Sequence, residues 1–261
     1  MNFIKQTLFR LLGINGYLSI LQKSYILAYK SGFLKDNKTY AWHHFVRNMI
    51  RPDDVIIDIG ANLGYFTFIF RDLINENGQL YCVEPVETYR RQLKKIIGNR
   101  KNITLLPFAL GNENKDKVIL GMPSAFANLG YLKHGVVTVA TDDRTVASDY
   151  TFSSPLKKGS EVFGQLTKLD YIKCDIEGYE TVVLQEMKPV LQKHEPMVQL
   201  ETWGEQLPIM LDFFRGIGFE AYNLEKGKLI NCNNLELHQI NTSDVFFVAP
   251  SKKDRIAAFI Q

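Results

Sequence analysis

The chain has 261 residues, of which 46% are hydrophobic and 23% charged, and a formal net charge of +3. That suffices for one large α/β domain with a small extension, and it excludes both a disordered chain and the strongly basic balance of a nucleic-acid binder. The three cysteines, Cys82, Cys174 and Cys232, are odd in number and far apart, which predicts reduced core thiols of a cytoplasmic protein and neither a disulfide framework nor a metal cluster.

No secretory pattern opens the chain, because Lys5 and Arg10 interrupt its first apolar residues, and no apolar run is long enough to span a bilayer. Lys5, Arg10, Lys23, Lys30 and Lys35 meet no acid before Asp36, while Phe3, Ile4, Leu8, Leu11 and Leu12 fall roughly on one helical face. Three readings stay open for this segment: a helix packed on the domain with solvated lysines, a peripheral contact with anionic membrane lipid, or a wall of the acceptor site. Further helical patterns run over residues 17–29 and 40–49, so residues 1–50 are predicted to form a helical cap. His43 and His44 are adjacent, cannot share a helical face, and read as surface or core histidines, not metal ligands.

From residue 51 the alternation is regular, and residues 51–250 are predicted to form one domain. Val55 to Ile59 is a β-branched run that suits a buried parallel strand, and it passes through Gly60 and Gly64 into a helix from Tyr65 to Ile74. A second strand covers 79–84, a helix 86–97, and a third strand 103–107. Phe108-Ala109-Leu110-Gly111 follows, placed by this winding beside an adenine. Between 112 and 166 the rhythm breaks: residues 118–120 and 136–140 read as short strands, 122–135 as an acceptor-side wall, and 148–164 as a flexible surface insert. Strands at 169–174 and 197–202, helices at 178–187 and 206–215, a hairpin-like pair at 219–223 and 228–231, and a last strand at 244–249 complete the domain. The tail, 251–261, reads as a short helix or frayed end.

The first glycine turn follows Asp58-x-Gly60-x-Asn62-x-Gly64, with an acid two residues before the first glycine. An acid there repels a pyrophosphate and suits a cationic end, such as the ammonium of an amino acid. Glu84, twenty residues past Gly64, is placed to take both hydroxyls of a ribose. A ligand with an amino-acid end and an unphosphorylated ribose is S-adenosylmethionine, the cofactor predicted here. The plain alternative is a Rossmann-like turn without a ligand.

Asp175 and Glu177 stand at the end of the fourth core strand and Glu201 at the end of the fifth, so three carboxylates are expected to converge beside the same crevice. Such acids raise one another's pKa unless a cation, such as Lys173, is near. Asp175 is the candidate base for a hydroxyl acceptor, with Glu177 and Glu201 holding further hydroxyls. The structural alternatives make Glu177 a helix cap and Glu201 a hydrogen-bond partner.

Asp58-Ile59-Gly60-Ala61-Asn62-Leu63-Gly64-Tyr65-Phe66-Thr67, then Val83-Glu84-Pro85, then Lys173-Cys174-Asp175-Ile176-Glu177-Gly178-Tyr179-Glu180 resemble the successive motifs of the FkbM family of S-adenosylmethionine-dependent methyltransferases. The resemblance covers about residues 50–225, and its last motif is the specific one. It implies a class I methyltransferase fold, a Rossmann-like α/β sheet of seven strands, mostly parallel with an antiparallel last strand and helices on both faces. It also implies O-methylation of a sugar or other small-molecule acceptor, and cofactor contacts at Asp58, Gly60, Asn62, Thr67 and Glu84, with Gly64, Pro85 and Ala109 beside them. Val137 to Asp143 resembles the family's strand and Thr-Leu-Asp turn but lacks the leucine.

Two other chemistries use the same residues. Asp175, Glu177 and Glu201 could ligate a hard divalent cation that activates the hydroxyl. A nucleic-acid methyltransferase usually carries an Asn or Asp before Pro-Pro and an aromatic, where this chain has Asp175-Ile176-Glu177-Gly178. A non-catalytic cofactor-binding module would bind without turnover. Lys133, His134, Arg144, Lys157 and Lys158 are the cations that would suit an anionic acceptor.

Overall fold

The structure, a computed structural model, describes residues 2–141, 145–240 and 244–261. The cap consists of α1 (Asn2–Lys30), broken at Gly13 where φ is 61°, and α2 (Ala41–Phe45) flanked by single 3₁₀ turns. The core then winds through β1 (Val55–Ile59), α3 (Tyr65–Leu73), β2 (Gln79–Val83), α4 (Glu87–Ile97) and β3 (Ile103–Leu106). After β4 (Ala109–Gly111), β5 (Lys115–Pro123), β6 (Thr138–Val139) and β7 (Val146–Lys158) come α5 (Gly159–Phe163) and β8 (Tyr171–Cys174). The chain closes with α6 (Glu180–Glu186), α7 (Lys188–His194), β9 (Met197–Glu201), α8 (Gln206–Gly216), β10 (Glu220–Glu225), β11 (Lys228–Asn231) and β12 (Asp244–Val248).

The main sheet has eight strands, not seven, in the order β11-β10-β12-β9-β8-β1-β2-β3. Strands β9, β8, β1, β2 and β3 run parallel, while β12 is antiparallel to both β9 and β10. The eighth strand is β11, which pairs with the edge of β10 through the tight turn at Lys226-Gly227, where both residues have positive φ.

Strand alternation divides the core into two layers. Ile56, Leu80, Tyr171, Met197 and Phe246 face α3, α4 and the cap, whereas Ile57, Ile59, Ile172, Cys174, Val198 and Phe247 face α6 to α8. The same alternation puts Asp58, Lys173, Gln199 and Glu201 on the cap side. The cap is held there by Tyr17 and Leu18, which pack against Leu63, Val86 and Tyr89, and by Gln22, whose amide donates to the Leu63 carbonyl at 2.7 Å.

Two expectations change. Among the described residues of 112–166, the short strands read at 118–120 and 136–140 belong to β5 and β6, which with β7 and the preceding β4 form a second sheet in the order β4-β7-β5-β6; 3₁₀ turns fill much of the stretch between β5 and β6, and the part read as a flexible insert supplies β7 and α5. The first half of β5 is exposed and polar, so it lacks the alternation that marks a strand, and its pairing with β7 is long-range. A helix, α7, continues directly from α6 with Pro189 in its first turn. Of the two readings of the tail the helical one holds, as 3₁₀ turns over Pro250–Arg255 and Ala257–Phe259, anchored because Arg255 donates to buried Asp54 at 3.0 Å and Ile256 is fully buried. All three cysteines are free and buried, and no helix among the described residues is long and apolar enough to cross a membrane.

Candidate functional site

At the carboxyl end of β1 the backbone turns sharply. Gly60 (φ 76°) and Asn62 (φ 49°) are left-handed, and Gly64 (φ 83°) starts α3. Gly60 is required by a close approach, since a Cβ there would lie 1.9 Å from the Asp175 carbonyl oxygen. Gly64 serves packing, for a Cβ there would fall 2.6 Å from Ile96 on α4. The turn is tied to β2 by the amides of Gly60 and Ala61, which both donate to the Val83 carbonyl, at 3.0 and 3.1 Å.

Glu84 follows β2 and is buried. Its carboxylate accepts the Asn62 amide at 2.8 Å and the Val86 amide at 2.7 Å. Burial pushes its carboxyl up to about 7 against the pull of those two amides. Beside it lies a cleft, partly open to solvent, lined among others by Gly60, Asn62, Glu84, Pro85, Ala109 and Tyr89. Asn62 Oδ1 and the Tyr89 hydroxyl are buried and have no hydrogen-bond partner among the described residues, so the wall offers polar atoms that a ligand would satisfy. The set fits a nucleoside carrying polar substituents. Tyr89 escapes a sequence reading because it belongs to the apolar stripe Val86, Tyr89, Leu93, Ile96 of α4.

Asp58, Gly64 and Thr67 stand behind this cleft, not on its wall. The period of two along β1 turns Asp58 toward α3, where it accepts the Thr67 hydroxyl at 2.7 Å and is wholly buried. Burial raises its pKa, while Lys173 and the Thr67 hydrogen bond pull it down.

The three carboxylates read from the second motif do meet: one oxygen from each of Asp175, Glu177 and Glu201 lies within 4.8 Å of the other two. Lys173 Nζ, buried, sits 2.7 Å from Asp175 Oδ2 and 5.2 Å from the Phe66 ring centroid. For Asp175, burial pushes the pKa up, but the Lys173 ammonium and a hydrogen bond with Glu201 outweigh it and hold the group below the usual range. Glu201 moves the opposite way, through burial and then its ionised neighbour, and keeps its proton. Glu177, in a left-handed conformation at φ 58°, is pushed up to about 8, mainly by burial and by Asp175. The site therefore pairs an ionised Asp175 with two acids that favour the neutral form. The same oxygens are spaced to hold a hard cation, and at Asp175 the ammonium of Lys173 takes the cation's place.

The cap of the turn after β8 is Glu180, a residue with no assigned role in the sequence reading. Its carboxylate accepts the amides of Ile176 and Gly178 at 2.8 and 3.1 Å, which frees Glu177 to face the cleft. On the acceptor side His134, Val137, Thr138 and Tyr179 complete the lining. The His134 carbonyl accepts the Asn62 side-chain amide at 3.1 Å, and burial drives its imidazole down to about 4. His43 of α2 is a core histidine: its Nδ1 is hydrogen-bonded to the Tyr25 hydroxyl and its ring lies 4.3 Å from Phe66. Lys133 stacks over Phe126 and Lys158 faces Glu161 and Glu186, away from the cleft lining. Asp142, Asp143 and Arg144 lie outside the described residues.

A family model described as the methyltransferase FkbM domain matches residues 58–221. No curated protein matches the sequence. Among solved structures, the methyltransferase FkbM from Methylobacillus flagellatus KT is similar at 12% identity and a TM-score of 0.46, over 76% of this chain and 44% of that one. The match therefore spans less than half of that protein's length. An rRNA methylase from Streptococcus thermophilus is similar at 10% identity and a TM-score of 0.43, over 79% of this chain and 92% of that one. Fibrillarin from Aeropyrum pernix, solved with natively bound S-adenosyl-L-methionine, is similar at 12% identity and a TM-score of 0.44, over 80% of this chain and 74% of that one. Likenesses so distant assign no acceptor.

Proposed function

The chain belongs to the FkbM family of methyltransferases, and we propose that it methylates a hydroxyl of a sugar, a glycan or another small-molecule acceptor. The observation that carries this reading is the meeting of Asp175, Glu177 and Glu201 around buried Lys173 at the edge of the cleft. S-adenosylmethionine, the family's cofactor, supplies when bound an electrophilic methyl group on a sulfur that keeps the electrons of the broken bond. Gly60, Asn62, Glu84, Pro85 and Ala109, which line the cleft, would hold it, and the Glu84 carboxyl would take the ribose hydroxyls.

Asp175 does the proton chemistry. It is ionised and a third exposed toward the cleft, so it accepts the proton as the acceptor oxygen attacks, a step of about 10² to 10⁴ in rate. Glu201 and Glu177, being neutral or nearly so, donate and accept hydrogen bonds to neighbouring hydroxyls, which suits a polyol. The acidic edge disfavours a phosphate backbone. Free, buried cysteines support a cytoplasmic setting.

The test is transfer of a labelled methyl group from S-adenosylmethionine to a panel of glycosides, polysaccharides and ribosomal RNA. Label in an alkali-stable ether on a glycoside or polysaccharide supports the reading. Label in RNA alone overturns it.

A further inference from the structure

We propose that the outer side of α1 is a docking surface for an anionic lipid bilayer, on which the protein lies without spanning it. The inner side of the helix is spent on the domain through Tyr17, Leu18, Gln22 and Tyr25. The outer side is bare. On the helix Phe3 is 79% exposed, Leu11 76% and Leu27 72%, with Ile4 and Leu12 exposed beside them, and Phe33 in the turns just after it is 83% exposed. Among the described residues, seven of the eleven large hydrophobics left exposed lie in the first 33 positions, a concentration that scattered surface residues do not produce.

The charge around these side chains has one sign. Arg10, Lys23, Lys30 and Lys35 share the segment with no acid before Asp36, and none of them pairs with a carboxylate among the described residues, while Lys5 lies over the Tyr131 ring on the inner side. The positive surface continues onto α4, where Lys95 reaches Ser19 at 3.4 Å, and Lys30 itself lies over the Phe68 ring of α3. Asp36 ends the segment right after Lys35, and the acids on the neighbouring helices, Asp72 and Glu87, are taken up by Arg71 and Arg91.

Apolar side chains ringed by unpaired cations need a partner that offers hydrocarbon beneath negative charge, which is what a bilayer with anionic headgroups presents. A second copy of the chain fits poorly, since a twofold contact through this face would oppose its own cations. A nucleic acid supplies the charge but not the hydrocarbon. No helix of the described residues is long and apolar enough to span, so the contact is interfacial. Because Gln6 and Tyr17 on the inner side hold Leu129 and Tyr131 next to the acceptor wall, docking sets the cleft at the membrane surface.

The experiment floats the full chain with phosphatidylcholine vesicles and with vesicles part of whose lipid is phosphatidylglycerol, at low and high salt. The result expected is binding to the anionic vesicles only, falling as salt rises. The double substitution Lys23→Gln/Lys30→Gln lowers partitioning about thirtyfold, from about 1 kcal/mol per surface cation at about 1.4 kcal/mol per tenfold. Phe3→Ser/Leu27→Ser also lowers it, while both variants keep the parent's affinity for S-adenosylhomocysteine, which shows that they are folded. No binding to anionic vesicles, or equal binding to both kinds, overturns the proposal. So does a dimer in solution that Leu27→Ser/Phe33→Ser dissolves, which would give the face to a second copy.

Discussion

Lys173 Nζ lies 2.7 Å from Asp175 Oδ2, with the lysine side chain 5% exposed and the aspartate 34%. The cation is buried behind the strand end while the anion looks into the cleft, because residues two apart on β8 and its extension share one face of the sheet. Asp58, Glu201 and Asp244 bring further acids toward the same ammonium, which pulls the Asp58 and Asp244 carboxyls down against their burial.

Replacing that ammonium shifts the base. In Lys173→Met the carboxyl of Asp175 loses its main partner, so its pKa rises while burial keeps pushing it up. The acid limb of the pH–rate profile moves up correspondingly, and rate falls most at low pH. A profile that keeps its shape while the rate falls uniformly would give Lys173 a structural role only.

Gly60→Ala is expected to unfold the site. The new methyl would meet the Asp175 carbonyl at 1.9 Å, in a backbone conformation that side chains resist. Parting β1 from the turn after β8 costs at least about 3 kcal/mol, read as a fall in the urea midpoint. A loss within about 0.5 kcal/mol, the range of ordinary surface substitutions, would contradict the packing described.

Stability falls as pH rises from about 6.5 to 8. Glu84, pushed up to about 7, and Glu177, pushed up to about 8, both bind a proton more tightly folded than unfolded, so their contribution is full below the unfolded value and lost as pH passes the folded one. His43 and His134, held down at about 3 and about 4, act in the opposite sense but finish titrating near their unfolded value of 6.5, which leaves the upper window to the acids. Thermal melts across that window check the sign, and Glu177→Gln flattens its upper half.

Chelation leaves methyl transfer unchanged, because Lys173 supplies the positive charge at Asp175 and Glu201 keeps its proton. Loss of activity with chelator, restored by magnesium or calcium, would place a hard cation among the three carboxylates instead.

The parallel core was legible because its signals are local. β1, α3, β2 and α4 fall within a residue of their reading, since apolar period and turn glycines mark them. The meeting of Asp175, Glu177 and Glu201 was legible from strand order alone. What the sequence hid was direction and distance. Nothing in Asp58-Ile59-Gly60 says that the acid turns toward Thr67, for that depends on which face of the sheet α3 covers. The second sheet was hidden because the partners of β7 lie far away in sequence and half of β5 is solvated. Glu180, a helix-opening acid, looked ordinary until its carboxylate was seen to close the turn that presents Glu177.

The most direct test is calorimetric titration of S-adenosylhomocysteine into the parent, Glu84→Ala and Asp175→Ala. The cleft beside Gly60 as cofactor site predicts binding in the parent and a loss of at least about tenfold in Glu84→Ala, where the acceptor of the Asn62 and Val86 amides is removed. With Asp175 on the acceptor side, Asp175→Ala binds like the parent. No binding to the parent, or binding abolished by Asp175→Ala and untouched by Glu84→Ala, would contradict the assignment.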